Sequence, residues 1–195
     1  MFNFVEMKST IMNKAGLLLS LAGLLTLLTS FTTPEPEESI QWMTFEEAVE
    51  KMKTEKRKIF IDVYTDWCGW CKKMDKSTFL DAEIAKKMNK EFYAVKFNAE
   101  QREDVVFDGR TFKFVETGRG GYHQLAAALL SNQLSYPNFV FLNEDFHIIP
   151  VVPGYNSLPG YQQVDKFHFY LSFVGEGHYK NMKLEDYGKV YKSPY

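Results

Sequence analysis

The sequence predicts one α/β domain, and three stretches carry that prediction. IFIDVYT (Ile59–Thr65) is a short, mostly apolar, β-branched run of the kind that forms a buried central strand. Helical patterning follows it, and FYAVKFN (Phe92–Asn98) is a second strand. Strand, helix and strand in that order make a parallel βαβ unit, hence a sheet with helices packed on it. A length of 195 residues suits one domain with a sizeable core and would cramp two.

Taken in order, the chain opens with an apolar, uncharged run at Ala15–Leu28, preceded by Lys8 and Lys14. A basic start before a short apolar run is the pattern of a secretory signal. The run is short for a membrane span, which needs about 20 apolar residues. Residues 1–32 are therefore expected to be a signal peptide and the product to be exported and periplasmic. An uncleaved signal anchor is the alternative, and would be the chain's only link to a membrane. Residues 33–43, containing PEPEES, read as an extended linker.

A domain is expected over residues 44–180. Thr44 and Glu47 form a T-x-x-E capping box, with Phe45, Ala48, Val49 and Met52 on one helical face. After the first strand, Cys68 and Cys71 open a helix reaching about Ser77, and Asp81 caps a second (AEIAKKMNK). Val105–Val115 contains two alternating runs around Asp108-Gly109, a β-hairpin signal. GRGG (Gly118–Gly121) reads as a loop before a helix at Tyr122–Asn132. It lacks the lysine and hydroxyl of a phosphate-binding loop. Asn138–Leu142 is a strand starting directly after Pro137, HIIPVVPGY turns into a last strand, and Val164–Gly175 is a closing amphipathic helix. Phe167, Phe169, Tyr170 and Phe173 on that helix read as core. Residues 181–195 are left as a tail.

Composition removes several functions. Hydrophobic residues make up 45% and charged residues 25%, which is ordinary globular usage rather than disorder. A net charge of −2 lacks the basic excess of a nucleic-acid binder. Two cysteines cannot supply a disulfide framework or a four-cysteine zinc site, and the four histidines show no complementary ligand spacing. No metal is expected.

The chemistry falls on Cys68-Gly69-Trp70-Cys71. Cysteines at i and i+3 on a strand-to-helix junction bring their sulfurs within exchange distance. Cys68 lies at the helix N-terminus, where unpaired N–H groups favour a thiolate and lower its pKa below about 8.5. Cys71, expected to be the more buried, would resolve a mixed disulfide. A purely structural disulfide across so small a loop contributes little.

IFIDVYTDWCGWCKKM resembles the active-site strand and helix of the thioredoxin superfamily. Trp67, Cys68, Gly69, Cys71 and Lys72 match its W-C-G-x-C-K pattern, and Asp62 falls on its buried carboxylate. AVKFN resembles the strand that carries a lysine near that carboxylate, here Lys96. Tyr136-Pro137 before NFVFL resembles the cis-proline loop, and Gly154 a glycine after the last strand. The resemblance implies a thioredoxin-like fold: a central mixed β-sheet flanked by helices, here with a β-hairpin insertion before the cis-proline strand. The chain departs from the pattern in three ways. Trp70 stands where the family usually has proline or histidine, Ala99–Tyr136 is a long connection, and an aromatic-rich tail follows the last helix.

With that resemblance the function expected is a thiol–disulfide oxidoreductase acting on protein disulfides, close to exported bacterial thioredoxin-like proteins. Cys68 attacks, Cys71 resolves, and Asp62 takes the Cys71 proton, its carboxyl raised by desolvation. Lys96 modulates Asp62 by charge. An ordinary core carboxylate is the alternative for Asp62, and a trans proline for Pro137. Trp67, Gly69, Trp70, Tyr136 and Pro137 are the expected substrate contacts. One tryptophan should pack and the other stay exposed, with Trp70 read as substrate-facing. No cofactor is required. The partners implied are protein thiols and disulfides and, for an exported reductant, a membrane-embedded thiol donor. The alternative function is a redox-inactive thioredoxin-fold module or chaperone that holds extended peptides.

Overall fold

The computed structural model describes residues 39–118 and 120–195. The signal segment and residues 33–38 of the linker lie outside the described residues. Among those described, no helix is long and apolar enough to cross a membrane.

The linker ends in structure, because Trp42–Met43 form a short strand, β1. Helix α1 (Phe45–Lys51) follows with both bonds of the expected capping box, Glu47 N–H to Thr44 Oγ1 and Thr44 N–H to the Glu47 carboxylate. The central strand β2 (Lys58–Tyr64) leads to α2 (Gly69–Asp75). A 3-10 turn at Thr78–Leu80 precedes α3 (Ala82–Glu91), which Asp81 caps through Ile84 N–H at 3.0 Å. Strand β3 (Phe92–Asn98) completes the βαβ unit. Asp81 also accepts the Tyr195 hydroxyl at 2.6 Å, so it holds both a helix start and the chain's end. Asp81→Ala should lower stability by about 1 kcal/mol, read as a reduced denaturant midpoint with unchanged slope.

The expected hairpin is present as β4 (Val105–Phe107) and β5 (Arg110–Phe112). Asp108 and Gly109 take φ of 50° and 69°, the paired left-handed conformation of a type I′ turn. A second hairpin pairs β6 (Phe114–Thr117) with β7 (Gly120–His123), so Gly120 and Gly121 of GRGG lie in a strand rather than in a plain connector. Gly121 pairs with Glu116 in that ladder, and a Cβ there would meet the Phe114 ring and the Val115 carbonyl oxygen at 2.2 and 2.4 Å. The helix expected from Tyr122 therefore starts later, as α4 (Gln124–Leu129). The His123 ring nitrogen caps it, accepting the Leu125 N–H at 3.2 Å.

Strand β8 (Asn138–Leu142) follows a cis Tyr136–Pro137 bond, as the resemblance implies. HIIPVVPGY supplies only isolated bridges (Leu142 with Ile148, Val152 with Tyr155), and the last strand is β9 (Leu158–Pro159). The glycine after the last strand is therefore Gly160, not Gly154. Helix α5 (Val164–Gly175) has the expected bounds. The tail holds a further helix, α6 (Leu184–Val190), whose buried Tyr187 packs on Phe169, Phe173 and His178.

The sheet is mixed, with order β1-β3-β2-β8-β9: β1, β3 and β2 run parallel, β8 pairs antiparallel with β2, and β9 pairs antiparallel with β8. Two apolar layers cover its faces. Phe60, Met74, Phe79, Phe139 and Phe167 belong to one, and Phe45, Ile59, Ile61, Val63 and Leu125 to the other. Strand alternation places Asp62 on the same face as Phe60, the face covered by α2, α3 and α5. That layer ends where the cysteines begin.

Candidate active site

β2 delivers the chain to the cysteines and α2 holds them. Cys68 is the N-cap of α2 and is disulfide-bonded to Cys71, with Cα atoms 5.3 Å apart. The Cys68 Sγ accepts the Cys71 N–H at 3.0 Å. A backbone donor aimed at that sulfur favours its thiolate once the bond is reduced. The expected contrast in burial is slight, at 4% exposure for Cys68 and 2% for Cys71. Position at the helix start, more than exposure, distinguishes the two sulfurs.

Asp62 is buried in β2, directly opposite Lys96 of β3 in the parallel register. Its Oδ2 accepts from Lys96 Nζ at 2.7 Å, while its Oδ1 is buried with no hydrogen-bond partner among the described residues. Burial raises this carboxyl to about 6, against the opposing pull of the Lys96 charge and hydrogen bond, with Asp75 adding a smaller upward push. Burial works to lower Lys96, but its two carboxylate neighbours outweigh it and hold the ammonium above the ordinary lysine value. Lys96 lies 4.9 Å from the Trp42 ring centroid, 5.1 Å from that of Tyr64 and 5.0 Å from that of Phe79. Its charge is thus held in one place.

The outer surface departs from expectation. Neither tryptophan packs inside: Trp67 is 66% exposed and Trp70 57%. Each leans on a tyrosine instead. Trp67 meets Tyr136 edge-on at 5.9 Å, and Trp70 meets Tyr161 at 5.6 Å. The Trp67 indole N–H donates to Glu100 at 3.0 Å, and Lys73 Nζ lies 4.9 and 4.8 Å from the Trp70 and Tyr161 centroids. Burial, with Glu100 adding to it, pushes the Tyr136 phenol up to about 12. Gly69 is exposed, with open space where a Cβ would stand. Pro137 is buried, and its carbonyl accepts the Gly160 N–H at 2.8 Å.

The structure therefore joins Cys68 to Cys71, Asp62 to Lys96 and Trp67 to Tyr136. The Asp62 hydrogen bond runs to Lys96 and not to a cysteine. Sequence reasoning missed Asp75, Tyr161, Lys73 and Glu100. One had a readable signal: Asp75 stands four residues after Cys71 and so shares its face of the helix. Tyr161 and Glu100 reach the site only through tertiary packing.

A family profile described as "Thioredox_DsbH: Protein of unknown function, DUF255" matches residues 24–149. The chain is 32% identical over 116 residues to uncharacterized protein B0495.5 of Caenorhabditis elegans, spanning 59% of this chain and 14% of that protein. It is 31% identical over 84 residues to spermatogenesis-associated protein 20 of Homo sapiens, spanning 43% of this chain and 11% of that protein. It thus covers only a small fraction of the length of these relatives. A thioredoxin-fold protein from Helicobacter pylori matches with a TM-score of 0.53 at 16% identity, over 80% of this chain and 94% of the other. That likeness is one of fold.

Proposed function

This chain belongs to the Thioredox_DsbH family within the thioredoxin-like superfamily, and we propose that it is a thiol–disulfide oxidoreductase acting on protein disulfides. The observation that carries the reading is the cysteine pair joined across the start of α2, with the first sulfur receiving a backbone N–H. In the proposed cycle the Cys68 thiolate attacks a substrate disulfide and a substrate thiolate departs. Cys71 then gives its proton to Asp62 and attacks Cys68 Sγ, displacing the second substrate thiolate. The substrate gains two electrons, and the Cys68–Cys71 dithiol becomes a disulfide. An external dithiol must restore it. Export and a membrane-embedded thiol donor belong to the same proposal, supported by the apolar run at Ala15–Leu28.

The exposed aromatic pairs support a protein rather than a small-molecule substrate, since large exposed rings beside a reactive pair are a contact surface. Trp70→Ala should raise KM for a disulfide-bonded protein by about 10-fold with kcat little changed. Its stability should stay within about 0.5 kcal/mol of the parent, because the ring is largely exposed. The reading itself is tested by reduction of insulin with dithiothreitol as donor. The chain should accelerate it catalytically. A peptide-binding module would instead retain affinity for extended peptides with both cysteines replaced and would accelerate nothing.

A further inference from the structure

Lys96 has two carboxylate partners, not one. Beyond Asp62, its ammonium hydrogen-bonds the Asp75 carboxylate, which sits on the last residue of α2 and is partly exposed to solvent. One cation thus bridges a buried carboxylate with an orphaned oxygen and a solvent-facing one. With all three groups ionised, the cluster carries one excess negative charge, and the carboxylate less able to bear it is the buried one. We propose that Asp75 is a positioning residue of this site, fixing the Lys96 ammonium from the solvent side and so governing when Asp62 holds a proton.

The sign follows from charge alone. Ionised Asp75 repels a second negative charge on Asp62 and draws Lys96 away from exclusive pairing with it. Both effects favour the protonated form of Asp62, and removing the Asp75 charge reverses both. The other groups facing the cluster do not compensate. Tyr64 of β2 is held neutral by burial and by nearby Asp66, and Phe139, opposite Asp62 on β8, carries no charge. Trp42 and Phe79 are likewise uncharged. The catalytic consequence rests on the oxidoreductase reading, whereas the electrostatic one does not.

The test uses the full chain in its disulfide form, in which neither cysteine titrates. The Asp62 carboxyl is followed by ¹³C NMR against pH and assigned by its disappearance in Asp62→Asn. In Asp75→Asn the Asp62 midpoint should fall by about half a pH unit or more. Asp75→Glu should restore it. An unmoved or raised midpoint in Asp75→Asn overturns the proposal, and with insulin reduction intact it does so while leaving the oxidoreductase reading in place. The acid limb of the pH–rate profile should shift with the midpoint. If the midpoint falls while that limb stays fixed, the positioning role stands and the assignment of Asp62 as proton acceptor fails.

Discussion

Cys68→Ser is expected to lose protein-disulfide reduction by at least about 10³-fold, because the attacking thiolate is the one group the reaction cannot replace. Cys71→Ser is expected to lose turnover as well, but in a different way: it should accumulate a covalent adduct with its substrate through Cys68, released by dithiothreitol. The asymmetry follows from the sulfurs' places in the fold. Cys68 is the N-cap and receives the Cys71 N–H, while Cys71 lies within α2. Unfolding does not explain such a loss. The disulfide closes a loop so short that chain entropy assigns it about 2 kcal/mol at most. Non-reducing gels of each variant with insulin separate the outcomes, and an adduct formed by Cys68→Ser instead would reverse the assignment.

Asp62→Ala should make the protein more stable and the catalyst slower. Folding raises this carboxyl from 3.8 to about 6, so the native state binds more protons than the unfolded chain between those values. Stability therefore falls as pH rises from about 4 to about 6, by about 3 kcal/mol, and stays lower above that window. Asp62→Ala removes the ionisable group, should abolish this dependence, and should gain about 2 kcal/mol at pH 8 after the small cavity it leaves. Urea melts at pH 4 and pH 8 check the sign. Loss of the proton acceptor should slow resolution of the mixed disulfide by about 10²-fold at neutral pH. A buried carboxylate with one unpaired oxygen is otherwise a liability in a strand of isoleucine, phenylalanine and valine.

What the sequence made legible follows from where the signals were redundant. β3, β8 and α5 have their expected bounds because apolar runs, a flanking proline and helical periodicity agree on them. Thr44 and Asp81 were readable as caps because capping is a local hydrogen bond. β1 is two residues long and has no period to read; it exists only because β3 offers an edge. The β6–β7 hairpin was hidden because GRGG looks the same as a connector or as a turn, and only the pairing partner decides. α6 has a largely polar sequence anchored by Tyr187, whose partners on α5 are distant in the chain.

The same division holds for the site. Cys68 and Cys71 were legible as a motif and Asp62 as a polar residue inside an apolar strand, while Lys96 came from the family resemblance of AVKFN. Expecting one tryptophan to pack failed for a tertiary reason. Tyr136, just before β8, and Tyr161, just after β9, each support one of the two rings, so neither needs to enter the core.

The central claim, that Cys68 and Cys71 form a working redox couple, is tested most directly by equilibrating the chain with defined ratios of reduced and oxidised glutathione and measuring the fraction of disulfide. The proposed function predicts a reversible two-electron transition with a midpoint between about −270 and −120 mV, the range spanned by thioredoxin-fold catalysts. A pair that stays oxidised throughout, with a midpoint below about −300 mV, would be a structural disulfide and would contradict it.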